Sequence, residues 1–181
     1  MNTVQPIRDK DIISKFKNEL LKNGSRDYMI FVVGINTGLR ISDILTLKVS
    51  DVKNKEHIIK IEKKTKKYKR FLINSNLKND IDKYIDGMLD DEYLFQSRRG
   101  MNKPISRIQA YRILNVVADK LGLVEVGTHT LRKTFGYWHY KQYKDVAILQ
   151  DIFSHSAPSV TLRYIGVNDD MKDETIKNFY L

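Results

Sequence analysis

At 181 residues, 41% hydrophobic and 30% charged, the chain has the length and composition of one well-packed globular domain. It has no cysteine, which excludes disulfides and thiolate metal sites, and its longest apolar run, Tyr28 to Ile35, falls well short of the ~18 residues of a membrane span. The net charge of +10 favours a polyanionic partner, and MNTVQPIRDK lacks the apolar core of a secretory signal, so the cytoplasm is the expected compartment.

The spacing from Lys10 to Lys22 sets Ile12, Ile13, Phe16, Leu20 and Leu21 on one helical face, with Asp9 as N-cap and Gly24 as stop. A nearly all-apolar helix follows over Asp27 to Asn36, ended by Thr37-Gly38. A short helix begins near Ser42 and turns Ile44, Leu45 and Leu47 inward. The period then changes. His57 to Ile61 and Tyr68 to Ile73 read as strands, and the basic run between them reads as a hairpin tip. That run, Lys63 to Arg70, holds six cations in eight residues, whereas Asn168 to Glu174 is acidic. Helical spacing returns at Leu77, Ile81, Tyr84, Ile85, Met88 and Leu89. A strand-like Tyr93 to Phe95 precedes the polar loop SRRGMNKP. Ser106 can cap a helix through Tyr111, Leu114, Val117 and Leu121, with Gly122 just past its end. Thr128 can cap the helix that opens HTLRKTF; Asp145 to Phe153 is another, and the last runs roughly from Asp170 to Tyr180. The expected fold class is mostly α with a small antiparallel β-sheet (α+β), in one domain over 1–181.

Three segments carry chemistry. TGLRISDILTL offers Arg40, HTLRKTF offers His129 and Arg132, and FSHSAPSVTLRYIG offers His155 and Tyr164. His129 and Arg132, three apart on a helix, project from one face, with Leu131, Phe135 and Trp138 packing that helix inward. Asp43, one turn from Arg40, can hold the guanidinium, either as a plain structural pair or as the buttress of an arginine aimed at phosphate. Taken singly, a surface His-Arg pair and a core tyrosine are the simpler readings. Taken together, the five suit phosphoryl transfer. Arg40 and Arg132 can bracket the non-bridging oxygens, since a guanidinium stays charged and donates parallel hydrogen bonds. A phenol, whose pKa is about 10, needs a base, for which His129 is the candidate. His155 can donate to a phosphate oxygen, and a lysine on a mobile hairpin can protonate the departing sugar oxygen. His57 and His139 lack a carboxylate at ligand spacing. Ser97 to Arg99 reads either as a phosphate contact or as a solvated loop.

These segments resemble, in order and spacing, the motifs of the tyrosine recombinases, the phage-integrase family, and the resemblance covers almost the whole chain. It implies the family's catalytic-domain fold, with Arg40, His129, Arg132, His155 and the nucleophile Tyr164 as catalytic residues. It also implies a hairpin lysine, for which Lys64 before Thr65 is the best match and Lys63, Lys66 and Lys67 are competitors. Lys63, Lys66, Lys67, Lys69 and Arg70 are the candidates for DNA-phosphate contacts. The implied activity is metal-free and cofactor-free cleavage and rejoining of double-stranded DNA through a 3′-phosphotyrosyl link, in a tetramer joined through the C-terminal helix, where Ile176, Phe179 and Leu181 supply apolar contacts. The family's N-terminal DNA-clamping domain has no counterpart in this sequence, so tight, salt-insensitive binding is not expected of the chain alone. Two other readings compete: a non-catalytic DNA-binding module, which leaves the five residues unexplained, and a type IB topoisomerase-like enzyme, which reseals the same strand.

Overall fold

The structure, a computed structural model, describes residues 4–61, 68–167, 173–174 and 176–180. Helix α1 (Lys10–Asn23) starts where the Asp9 carboxylate accepts from Asp11 N at 2.7 Å and Ile12 N at 3.3 Å, and it ends at Gly24. Phe16 and Leu20 are buried, whereas Leu21 is 53% exposed because it lies about 100° round the helix from Leu20. Helix α2 (Ser25–Thr37) is buried continuously from Met29 to Gly34 and packs against α1 and against the helices over Ser75–Tyr84 and Thr128–Tyr143. Phe31 stacks on Phe16 with ring centroids 4.7 Å apart. Helix α3 (Ile41–Leu45) and one 3-10 turn (Val49–Asp51) lead to the sheet.

Strands β1 (His57–Ile61) and β2 (Tyr68–Leu72) pair antiparallel, His57 opposite Leu72 and Ile61 opposite Tyr68. Ile58 points into the core, while Ile59 and Ile61 face outward, as the period-2 alternation of a strand requires. The hairpin tip, 62–67, with Lys63, Lys64, Lys66 and Lys67, lies outside the described residues.

Helix α4 (Ser75–Tyr84) is shorter than its apolar spacing predicts: Ile85 ends it, and the chain turns at Gly87 (φ 78°), leaving Leu89 exposed. Tyr93 and Gln96 form only isolated bridges, to Lys48 and Pro104, not the expected short strand. Helix α5 (Arg107–Lys120) is capped by Ser106 Oγ, which accepts from Gln109 N at 3.1 Å. Its buried face is Ala110, Leu114, Val117 and Ala118; Tyr111, expected inward, is 49% exposed because Ala110 takes that place.

In helix α6 (Thr128–Tyr143) the N-cap is Gly127, one residue before the expected Thr128, and Thr130 Oγ1 accepts from Gly127 N at 3.1 Å. Helix α7 (Val146–Phe153) is capped by Asp145, and helix α8 (Pro158–Ile165) has Pro158 in its first turn, where its fixed φ fits and no N–H is needed. Two apolar clusters result. The larger surrounds α2 and includes Leu131; the smaller joins Tyr137, Leu149, Phe153 and Ile165. Helix α6 contributes to both, so its first two turns sit at the seam between them. Of the expected last helix, one turn is described, with Lys177 N donating to Asp173 O at 2.8 Å; Asp170 and Leu181 lie outside the described residues.

Candidate active site

Four of the expected residues meet at that seam, delivered by α6, by α8 and by the turn that follows α7. Arg132, on the second turn of α6, is 4% exposed. Its Nη1 donates to Gly38 O and its Nη2 to Phe153 O at 2.9 Å, and its guanidinium lies 4.2 Å from the Phe153 ring centroid. One buried cation thus ties the ends of α2 and α7 to α6. Gly38 makes this possible: it ends α2 in the left-handed conformation (φ 67°), and a Cβ there would stand 2.5 Å from Phe135 Cδ1. Burial pulls the Arg132 pKa down to about 10, which still leaves it charged at neutral pH.

Tyr164, on α8, is half-buried. Its hydroxyl lies 3.3 Å from His129 Nδ1, and its ring meets those of His155 (5.0 Å) and Phe153 (5.5 Å) edge-on. Burial raises the phenol's pKa; the cations of Arg132 and Arg40 and a hydrogen bond from Arg132 pull the other way. Burial lowers the His129 pKa, and the charges of Arg107, Arg132, Lys133 and Arg40 lower it further. Burial, then Arg132 and Arg40, lower that of His155 as well. Both imidazoles are therefore biased toward the neutral form. His155 Nδ1 is 3.0 Å from the buried Thr161 Oγ1, three residues before Tyr164 on the same helix.

Arg40 lies at the mouth of this group, its charge felt at His129, Arg132, His155 and Tyr164. It is exposed, and among the described residues no ion pair joins it to Asp43. The expected buttress is absent because the guanidinium leaves the helix junction for solvent, while the Arg40 backbone carbonyl accepts from Asp43 N at 2.8 Å. Lys69 stands apart from the cluster: its ammonium donates to Asp151 O at the end of α7 and lies 3.7 Å from Asp151 Oδ1, fastening the hairpin to that helix. Arg70 is exposed beside a cleft of about 850 Å³ between β2 and α7. Lys64 lies outside the described residues. No group of three or more potential metal-ligating side chains occurs among the described residues.

Two residues were not singled out from the sequence. Thr161 orients His155, and its place three residues before Tyr164 on an amphipathic helix was the available signal. Lys133 puts its ammonium 5.2 Å from the Tyr164 ring centroid and donates to Val4 O at 2.6 Å. Its only signal was its position next to Arg132.

The model of the phage integrase family matches residues 9–171. The probable integrase/recombinase YoeC of Bacillus subtilis (strain 168) is 53% identical over 179 residues, covering 99% of this chain and 98% of YoeC. The crystal structure of XerA recombinase superposes with a TM-score of 0.76 at 24% identity, over 97% of this chain and 65% of XerA. The XerH site-specific recombinase, bound to palindromic difH substrate in a post-cleavage complex, superposes with a TM-score of 0.76 at 16% identity, over 98% of this chain and 54% of XerH. The chain thus spans nearly all of YoeC and about half of XerH. A match this long shows that the chain belongs to the phage integrase family and carries the catalytic-domain fold of a tyrosine-type site-specific recombinase.

Proposed function

We propose that this domain cuts and rejoins duplex DNA, one strand at a time, with Tyr164 as nucleophile and without a metal ion or cofactor. The observation that carries the reading is the 3.3 Å contact between Tyr164 Oη and His129 Nδ1, made beside the buried Arg132. In the first step the Tyr164 proton passes to neutral His129 as the phenol oxygen bonds to phosphorus. The bond from phosphorus to the 5′ oxygen breaks, and that oxygen takes a proton from the hairpin lysine, assigned to Lys64. The 3′-phosphotyrosyl ester keeps the bond energy, so a 5′-hydroxyl from a second duplex reverses the step on a new partner.

Arg40 and Arg132 take up the charge that grows on the two non-bridging oxygens. Arg132 is held in place before the substrate arrives by Gly38 O and Phe153 O, so little reorganisation accompanies the reaction. With Nδ1 occupied by Thr161, His155 offers Nε2 to a phosphate oxygen. Lys63, Lys66, Lys67 and Arg70 contact flanking phosphates, as the fold shared with XerH on difH DNA supports. On DNA, neighbouring copies bury the exposed Ile176 and Phe179 of the C-terminal segment and form a tetramer.

The test is a nicked duplex that loses its short 5′-hydroxyl strand on cleavage and traps the ester. The wild-type chain is expected to form an adduct that survives denaturant, and Tyr164→Phe none. An adduct that persists in Tyr164→Phe would overturn the assignment. Exchange of ends between two labelled duplexes separates recombination from same-strand resealing.

A further inference from the structure

Residues Val4 to Arg8, ahead of α1, lie as a strap across α6 and the end of α8, and the mechanism above makes no use of them. The strap's backbone is fastened along its length. Gln5 N donates to Glu125 O at 2.9 Å, and Ile7 N to the buried Thr134 Oγ1 at 2.9 Å. Trp138 Nε1 donates to Ile7 O at 3.0 Å, and Lys133 Nζ to Val4 O at 2.6 Å. Pro6 and Ile7 are buried between these anchors.

Two of the strap's contacts reach the nucleophile's own helix. The Lys133 ammonium, held by Val4 O, lies over the Tyr164 ring, 5.2 Å from its centroid. A cation there is attracted by the ring's quadrupole, and more strongly where water is partly excluded. At the other end of the strap, Arg8 Nη2 donates to Gly166 O and to Gln5 Oε1, both at 3.2 Å. Gly166 is the C-cap of α8 in the left-handed conformation (φ 73°), and a Cβ there would stand 2.7 Å from Arg8 Nη2. The guanidinium thus meets a carbonyl past the last helical turn and the negative end of the helix dipole.

Helix α8 depends on such support. Its eight residues are too few to persist as a helix alone, and its fully buried side chains are Thr161 and Ile165. A small rotation of this helix would break the 3.3 Å contact between Tyr164 Oη and His129 Nδ1. We propose that Lys133 and Arg8 are positioning residues for the nucleophile: fixed by the Val4–Arg8 strap, they hold Tyr164 at its ring and at its helix end. This inference rests on the reading of Tyr164 as nucleophile and adds what keeps it in place. Both residues act through Tyr164 and not on the phosphate.

The test uses the full chain with Arg8→Met and Lys133→Met, singly and combined, and Arg8→Lys and Lys133→Arg as conservative partners. Adduct formation on the nicked duplex is resolved into the rate at saturating protein and the half-saturating concentration. A misplacement of ~1 Å costs about 10²-fold, so the combined methionine variant is expected to lose roughly 10- to 100-fold in the saturating rate. Its half-saturating concentration should be unchanged, and the conservative variants should recover most of the rate. The second readout is fluorine NMR of the free chain with a ring-fluorinated tyrosine in place of Tyr164. One narrow line is expected with the strap contacts intact, and a broadened or split line in the combined variant. A wild-type rate and line in that variant overturn the proposal. So does a loss confined to the half-saturating concentration, which would make the two cations DNA contacts. If the combined variant does not fold, the single variants are read in the same way. The NMR line needs neither DNA nor chemistry. Absence of a Tyr164 adduct in the wild type would therefore count against the active-site reading alone, and the two failures are distinguishable.

Discussion

At the scale of single residues, the site is a set of neutral bases held among cations. His129 illustrates the consequence. A charged imidazole would sit close to Arg107, Arg132, Lys133 and Arg40, so both burial and repulsion favour the neutral form. Its pKa therefore lies below the ordinary 6.5, which favours the proton-accepting form. The second-order rate of adduct formation, which reports the free protein, should rise with pH along an acid limb whose midpoint is below 6.5 and stay flat from pH 7 to 8. His129→Ala should lower that rate by about 10²- to 10⁴-fold and abolish the limb. A limb centred above pH 7, or one that survives in His129→Ala, would remove His129 from the role of base. The raised Tyr164 pKa acts in the same direction: burial favours the protonated phenol, so in the proposed attack a base must take its proton.

At the scale of elements, what matters is how closely α6, α7 and α8 approach, because α6 carries His129 and Arg132, α8 carries Tyr164, and His155 lies in the turn between α7 and α8. Gly136 sets that distance. A Cβ there would meet Ile165 Cγ2 at 2.6 Å and the Phe153 ring at 2.8 Å, both fully buried. Gly136→Ala should destabilise the fold by about 1–3 kcal/mol, read as a lower denaturation midpoint, and slow adduct formation by moving α8 off α6. Wild-type stability and rate in that variant would show that the helices yield without effect. The same three helices mark how far sequence reasoning reached. The motifs singled out His129, Arg132, His155 and Tyr164, since each lies in a short segment whose order and spacing are distinctive, but not Thr161 or Lys133. The pattern also gave α6 and α7, whose apolar positions recur at helical intervals. It did not give α8: Ser156 to Pro158 looks like a turn, and the role of Pro158 in the first helical turn shows only once the packing of Ile165 is known. Nor could it give the exposure of Arg40. That depends on where a flexible side chain goes after the backbone is placed, and the expected Asp43 pair assumed a buried junction. The contact of Lys133 with Val4 joins residues 129 apart in the chain, which no local period encodes.

At the scale of the whole molecule, one apolar surface stands exposed among the described residues. It lies near the chain end, where Ile176 is 64% and Phe179 66% exposed. Two large apolar side chains on adjoining turns of one segment are more than the scattered surface hydrophobics of an ordinary monomer, and a second copy of the chain is the partner proposed for them. In the proposed mechanism cleavage requires only one protomer, because His129, Arg132, His155 and Tyr164 all come from the same chain. Strand exchange requires at least two protomers, since the new 5′-hydroxyl arrives on another duplex. The two activities should therefore separate. Ile176→Asp with Phe179→Asp is expected to keep adduct formation on the nicked duplex within about threefold of wild type, because both positions are exposed and substitutions there perturb stability little. The same variant should lose assembly of higher-order complexes on DNA and at least tenfold of end exchange between two labelled duplexes. Equal exchange in variant and wild type would show that these side chains are not what joins the protomers, whereas loss of the adduct as well would mean that the segment supports its own active site and not a neighbour.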